Sequence, residues 1–319
     1  MANFSAQAPK LDSKPRLSLG ARIQRQLKEN WVVYLMIIPV VVYFAVFCYG
    51  PMYGIQLAFK KYNVKLGITG SKWVGLDHFE RFFSGYNFKN LLGNTLGISL
   101  YCLVLEFPFP IILALLLHYL DIKPLKKIVQ LISYAPHFLS TVIIASLLTL
   151  FCAKDGFFNI IGSFFGAESK DLLTQPALFK HIYAWSDVWK SMGWSAIIYI
   201  AALSGVDQQM HEAAIVDGAN KLQRMLHIDL PSIVPTIVML LILKMGGIMG
   251  IGFEKAFLLQ NDLNLRSSQI IATYVYELGL VKSDYAFSTA VGLFNNVINV
   301  ILVVLANTFS KKVLKESLW

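Results

Sequence analysis

The sequence predicts an all-α integral membrane protein with six transmembrane helices. Three observations predict it. The 319 residues are 56% hydrophobic and only 15% charged, whereas soluble domains sit near half apolar and a quarter charged. The apolar residues gather into runs near the roughly 20 residues a helix needs to cross hydrocarbon. Most Lys and Arg fall beside or between those runs, where they read as membrane flanks. The formal charge of +9 does not point to nucleic acid, because no basic stripe is interleaved with stacking aromatics.

Residues 1–30 form a tail on this reading. Its first part carries Pro9, Pro15, Ser5, Ser13 and Ser18 and reads as loosely held. Residues 31–310 form the membrane domain and 311–319 a second tail. The first span is expected over Trp31–Tyr53, too long and too aromatic for a cleaved signal peptide. The second runs over Thr95–Leu120, kinked by Pro108 and Pro110. The third is Ile128–Cys152. The fourth, His181–Leu203, is the least apolar. The fifth is Ile233–Leu259 and the sixth Phe287–Phe309.

An even count puts both termini on one side. Arg22, Arg25 and Lys28, then Lys123, Lys126 and Lys127, then Lys311, Lys312 and Lys315 favour the cytoplasm for that side. Lys60, Lys61, Lys65 and Lys72 count the other way. The longest external loop, residues 55–94, contains "WVGLDHFERFFSG", with Leu76, Phe79, Phe82 and Phe83 at helical spacing. It reads as a helix on the membrane interface or packed on the bundle, with docking of an external partner as the alternative. Cys48, Cys102 and Cys152 lie in or at the ends of apolar runs without metal-ligand or CxxC spacing, and read as buried free thiols.

Between the fourth and fifth spans the chain becomes polar and ordered in pattern: "HEAAIVDGANKLQRMLHIDLP", His211 to Pro231. Asp207 suits an N-cap for a helix over Gln208–Asp217. Gly218 suits a left-handed turn. A second short helix is expected from Lys221 to about Ile228, ended by Pro231. Ala213, Ala214, Val216, Leu222, Met225, Leu226 and Ile228 are many apolar residues for a solvated loop. They form either a knob that docks into a partner's groove, with Glu212 and Arg224 at its rim, or a loop packed on its own bundle.

This interval resembles the EAA loop of the membrane subunits of ABC importers. Glu212, Ala213, Ala214, then Asp217, Gly218, Ala219, then Ile228, Leu230 and Pro231 match that pattern, while Met225 stands where an aromatic is usual. "FCYGPMYGIQLAFKKYN", "NTLGISL" and "YAPHFLSTV" are similar to the carbohydrate branch, in particular to LplB-like permeases for oligosaccharides and polysaccharide fragments. The resemblance implies the six-helix type I ABC importer permease fold, shared with the maltose importer's membrane subunits. It also implies that the 207–231 interval docks on a cytoplasmic ATPase and couples its closure to helix movement. The implied partners are a second permease subunit, in a heterodimer, two ABC ATPase subunits, an extracytoplasmic solute-binding protein, an oligosaccharide and membrane lipid. No cofactor is expected on this chain. ATP and Mg belong to the ATPase subunits, because no G-x-x-x-x-G-K-[ST] is present and "GITGSKW" has the wrong spacing.

Charges inside a membrane usually face a cavity. The fourth span holds Asp187 and Lys190, three apart and able to pair, with Trp185 and Trp189 on one face and Trp194 and Tyr199 beyond. Aromatic platforms beside a charge suit sugar rings, although Trp and Tyr also form interfacial belts. Counted back from Glu212, these positions fall where the maltose-type permease contacts its sugar. In "LKMGGIMGIGFEK", Lys244 and Glu254 bracket glycines that include Gly247. These glycines permit close helix packing, the favoured role, or a bend beside a cavity, and Glu106 or Asp187 is the expected partner of Lys244. Asn295, Asn296 and Asn299 read as interhelical hydrogen bonds. Two rivals remain: an ion-coupled secondary transporter, which would show inverted repeats, and an integral-membrane glycosyl transferase, which would show clustered acids or His at the membrane face.

Overall fold

The computed structural model describes residues 26–250 and 252–313, together with Gly20. Most of the first tail and residues 314–319 lie outside the described residues. The chain divides into two units, residues 1–55 and 56–319.

The first unit contains helix α1, Trp31–Tyr43, which continues as a π-helical turn, Phe44–Tyr49, and a further turn at Gly50–Met52. None of its residues is buried, as befits a helix whose whole surface is apolar. The widened π turn lies just before Pro51. A proline has no N–H to donate and its ring crowds the carbonyl four residues back, so a looser turn is the local remedy.

A 3₁₀ stretch, Tyr53–Phe59, prolongs the same span and carries the chain from the first unit into the second. A short antiparallel pair follows, β1 (Lys60–Lys61) and β2 (Lys72–Trp73), in the register Lys60 to Trp73. Helix α2, Asp77–Phe83, is the amphipathic helix expected in this loop. Only Phe82 of its aromatic face is buried, edge-on to Phe88 and Phe294, so α2 is packed on the bundle. Then come α3 (Phe88–Glu106) and α4 (Pro108–His118), one span broken at Phe107 by the expected prolines.

The third span differs from its prediction. Instead of one helix over 128–152 there are α5 (Lys123–Tyr134), a 3₁₀ turn at Ala135–Phe138, and then α6 (Thr141–Cys152) and α7 (Phe157–Phe164). Pro136 ends regular α-geometry, and Ser140 restarts it as a side-chain N-cap on Ile143 N. The membrane-length apolar stretch is therefore Thr141–Phe164. Helix α8 (Phe179–Leu203) is the fourth expected helix, unbroken over 25 residues. After the 207–231 interval, α11 (Leu230–Met245) ends where the glycines begin, and α12 (Phe253–Leu259) follows a non-helical stretch. The membrane-length helical stretch here is thus Lys221–Met245, displaced toward the N-terminus from the predicted Ile233–Leu259. Consecutive glycines lose the most backbone entropy in a helix, so they form a bend here. Helices α13 (Ile271–Tyr276) and α14 (Tyr285–Val313) complete the unit.

Among the described residues, five helical stretches are long and apolar enough to cross a membrane. Helix α8 is not one of them, because Lys180, Asp187 and Lys190 dilute it. It is nevertheless the centre of the packing, against α3, α4, α5 and α11. Its contact with α5 is closest at buried Gly193, where a Cβ would overlap the Ser133 carbonyl. Two core clusters flank it. One joins Ile98, Ile144, Phe179, Tyr183 and Ala256, and the other Ala114, Leu115, Ala196, Leu203 and Ile233.

Candidate functional site

Two features stand out in the second unit: a polar cavity within the bundle, and the 207–231 interval at one end of α8 and α11.

The cavity, about 340 Å³, lies where α3, α8 and the end of α11 meet. Ser99, Cys102 and Glu106 come from α3, Tyr183 and Asp187 from α8, and Lys244, Gly247 and Gly252 from α11 and the glycine bend. Without side chains, the glycines leave room there and expose backbone. Two ion pairs cross it. Lys244 bonds to Glu106, one of the two partners expected for it. Asp187 bonds to Lys255 of α12 at 2.6 Å, and Lys190 instead donates to Thr141 Oγ1 at 3.3 Å. Asp187 and Lys190, able to pair by spacing, thus take different partners. Three residues on a helix are neighbours, but α12 brings Lys255 to Asp187 from across the bundle. Lys255 is 5% exposed and also donates to the Tyr183 carbonyl at 2.8 Å.

Of the residues predicted to line a pathway, Asp187, Lys244 and Gly247 do line this cavity. The others lie elsewhere. Trp185 is half exposed and edge-on to Phe109. Trp189 is similarly exposed. Trp194 stacks flat on His137 at 4.5 Å between ring centres. Tyr199 is 3% exposed in the core beside Ala196 and Ile233. Asn299 Oδ1 accepts from Met249 N at 2.9 Å, and Asn295 Nδ2 donates to Met249 O at 3.3 Å. These two asparagines of α14 hold the glycine bend, and Ser99 donates to Ile248 O from α3.

The 207–231 interval folds as helix, turn, helix. Asp207 caps α9 (Gln208–Val216) by accepting from Gln209 N at 2.9 Å. Gly218 sits at φ 82°, the left-handed turn its position demands. Asn220 and Gln223 make a reciprocal capping box at the start of α10 (Lys221–Arg224). The second helix does not end before Pro231. It passes through a π turn, Met225–Asp229, straight into α11. As at Pro51, the widened turn precedes the proline and accommodates its missing N–H. Glu212, Ala213, Asp217 and Pro231 are exposed, and Ala214, Ala219, Met225, Ile228 and Leu230 half-buried. Ile215, Leu222 and Leu226 are exposed too, and Val216 is 87% exposed. These exposed apolar side chains form one patch on a capped turn, as an interaction surface would.

The inner side of this interval was not visible in the sequence. Asp229 is fully buried; its Oδ2 accepts from Tyr119 OH at 2.5 Å, and its Oδ1 lies 3.1 Å from His211 Nε2. Lys221 bonds to Asp121 at 2.6 Å, and that hydrogen bond, then the Lys221 charge, holds the exposed Asp121 carboxyl below its ordinary pKa. Two donor sets come close enough to share a cation: His118, His211 and Asp229, and Cys102, Glu106 and Asp187. In both sets the carboxylates already have protein partners.

Comparison with known proteins agrees with this architecture. Residues 106–315 match the family described as "Binding-protein-dependent transport system inner membrane component". The chain is 43% identical to the polygalacturonan/rhamnogalacturonan transport system permease protein YteP of Bacillus subtilis, over the full length of both. It is 40% identical to protein LplB of the same organism, over 98% of this chain and 99% of that one. It is also similar to a chain of a bacterial ABC transporter involved in import of the acidic polysaccharide alginate, at TM-score 0.84 and 38% identity, covering 92% of this chain and 99% of the other. A chain of a bacterial alginate ABC transporter in complex with alginate pentasaccharide-bound periplasmic protein gives TM-score 0.85 at 38% identity, over 93% of this chain and 100% of the other. With its helix-turn-helix projection, its charged cavity and relatives matched end to end, this chain belongs to the binding-protein-dependent inner-membrane permeases of ABC importers.

Proposed function

We propose that this chain is a non-catalytic permease subunit of an ATP-driven importer of oligosaccharides or polysaccharide fragments, acidic glycans in particular. It forms half of the pathway beside a second permease subunit. Two cytoplasmic ABC ATPase subunits consume the ATP and Mg, and an extracytoplasmic binding protein delivers the sugar. Helix α8 is the sixth span on this reading, its charges tolerated because Asp187 faces the cavity. Both termini and the 207–231 interval are cytoplasmic. The observation that carries the reading is the exposed apolar turn of residues 210–226, built on the EAA pattern and rigidly capped, which suits a groove on an ATPase subunit. Relatives named for polygalacturonan and alginate transport favour an acidic substrate, and half-exposed Lys244 is the cavity cation that such a substrate would have to take from Glu106.

The test is docking. Glu212 lies beyond the first turn of α9 (Gln208–Val216), out of reach of the helix-dipole effect, so a local role does not explain a severe defect on its loss. A charge-assisted contact with an ATPase subunit, once lost, costs about 2–5 kcal/mol. Glu212→Ala and Gly218→Val leave the protein in the membrane, weaken ATPase co-purification and abolish stimulation of ATP hydrolysis by loaded binding protein. Glu212→Asp is intermediate. ATPase retained and stimulated at wild-type levels in both severe variants contradicts the coupling role and leaves a loop packed on its own bundle.

A further inference from the structure

The two polar contacts described above join the same pair of helical rods. Glu106 ends α3, and thirteen residues later, past the proline break and α4, stands Tyr119. Asp229 precedes α11, and fifteen residues later stands Lys244. At 1.5 Å per residue the two rods measure about 20 Å and about 22 Å between those points. Glu106–Lys244 closes the frame at the cavity, and Tyr119–Asp229 closes it at the 207–231 interval.

We propose that Tyr119 and Asp229 are positioning residues whose contact transmits movement of the 207–231 interval to the cavity ion pair Glu106–Lys244. The proposal rests on the coupling role given to that interval and adds the route inward. Three features point to it. First, Asp229 gathers three elements around one carboxylate: Tyr119 after α4 donates to Oδ2, His211 on α9 lies with Nε2 3.1 Å from Oδ1 without a hydrogen bond between them, and the π turn carries Asp229 itself. A displacement of α9 relative to the rods therefore changes how close His211 lies to that carboxylate, and both facing atoms are buried with no other partner. Second, the carboxylate is not a cheap way to hold a loop. Replacing a buried polar or ionic cluster by packed apolar residues is often neutral or stabilising, and the interval already has Met225, Ile228 and Leu230 turned partly inward. A directional, breakable contact adds what apolar packing lacks, namely a fixed register between the rods. Third, the π turn is where the helix can change pitch. Such turns are frequent at functional sites, and this one lies between the exposed apolar knob and the straight run of α11. Arg224, with its guanidinium 5.7 Å from the Tyr119 ring centre, and the Lys221–Asp121 pair brace the outer side of the same contact.

The experiment uses the complete transporter in proteoliposomes, with sugar uptake and ATP hydrolysis measured together. Tyr119→Phe removes one hydroxyl and keeps the ring. Asp229→Asn keeps the shape and removes the charge. Both are expected to keep the ATPase subunits bound at wild-type stoichiometry while the sugar moved per ATP falls at least fivefold. The double variant is expected to be no worse than the poorer single one, because both remove one contact. A purely structural role would lower the amount of assembled transporter and leave the ratio per ATP unchanged. An unchanged ratio in both single variants, or an additive loss in the double, overturns the proposal. So does zinc that survives dialysis of the wild-type complex and whose chelation stops transport, since His118, His211 and Asp229 would then be a metal site. Failure of the wild-type chain to bind ATPase subunits would instead sink the parent reading. Should Asp229→Asn fail to assemble, Tyr119→Phe alone decides, by the same ratio.

Discussion

Asp187 of α8 and Lys255 of α12 lie 2.6 Å apart, 68 positions apart in the chain, and tie the central helix to the segment beyond the glycine bend. Lys255 is almost wholly buried and Asp187 is partly open to the cavity. The pair thus fixes a carboxylate at the cavity wall with one oxygen engaged from behind.

Removing one partner leaves a buried charge uncompensated, at a cost of about 3–5 kcal/mol. Lys255→Met is therefore expected to lower the thermal midpoint of the purified complex sharply. The pair Asp187→Leu with Lys255→Met is expected to recover most of that loss while transport stays low. Thermal unfolding followed in detergent, with uptake measured in parallel, checks both halves. Equal damage from the single and paired replacements would show that the ion pair is not what holds α12.

Lys244 is the half-exposed member of the other ion pair. A substrate carboxylate can exchange with Glu106 for it, and hydrogen bonds to charged groups contribute about 1.5–3 kcal/mol. Lys244→Gln is expected to reduce uptake of uronate oligosaccharides roughly 10-fold or more on that basis, with neutral oligosaccharides less affected. Competition between labelled acidic and neutral glycans reads the difference. Equal losses for both would remove charge recognition from this lysine.

Gly193 lies against the Ser133 backbone, so any Cβ must push α8 away from α5. Overpacking of this kind costs about 1–3 kcal/mol. Gly193→Val is expected to reduce yield and melting temperature, and Gly193→Ala to do so less. Because Trp194 follows on the same turn and stacks on His137, Trp194→Ala is expected to lower stability, whereas Trp189, exposed and away from the cavity, is expected to tolerate Ala with uptake near wild type.

Cytoplasmic placement of the 207–231 interval has a direct check. A cysteine at exposed Lys221 is expected to resist an impermeant thiol reagent in intact cells and to react after permeabilisation. Labelling from outside would reverse the orientation.

The capped turn of the 207–231 interval could be read in advance because its determinants are local. Asp207 caps the helix that follows it, and Gly218 supplies a backbone angle that a side chain would oppose. The proline break at Phe107 is local in the same way. The 128–152 stretch misled because its apolar run is continuous, while Pro136 and Ser140 interrupt the helix inside it. Hydropathy counts side chains and is blind to a missing N–H. Spacing leaves the glycines after Met245 open to packing or to a bend, and the tertiary structure decides for the bend, because Asn295, Asn299 and Ser99 bond backbone that a helix would have used itself.

By itself the sequence determined the class of protein, the order of its helices and the capped projection, since apolar runs, caps and left-handed glycines act over a few neighbouring residues. Only the tertiary structure decided which charges meet. Asp187 had Lys190 within one helical turn and yet pairs with Lys255, and Asp229 finds Tyr119 from 110 positions away. A buried charge takes the partner that packing brings to it across the bundle, and nothing in the spacing along the chain encodes that distance.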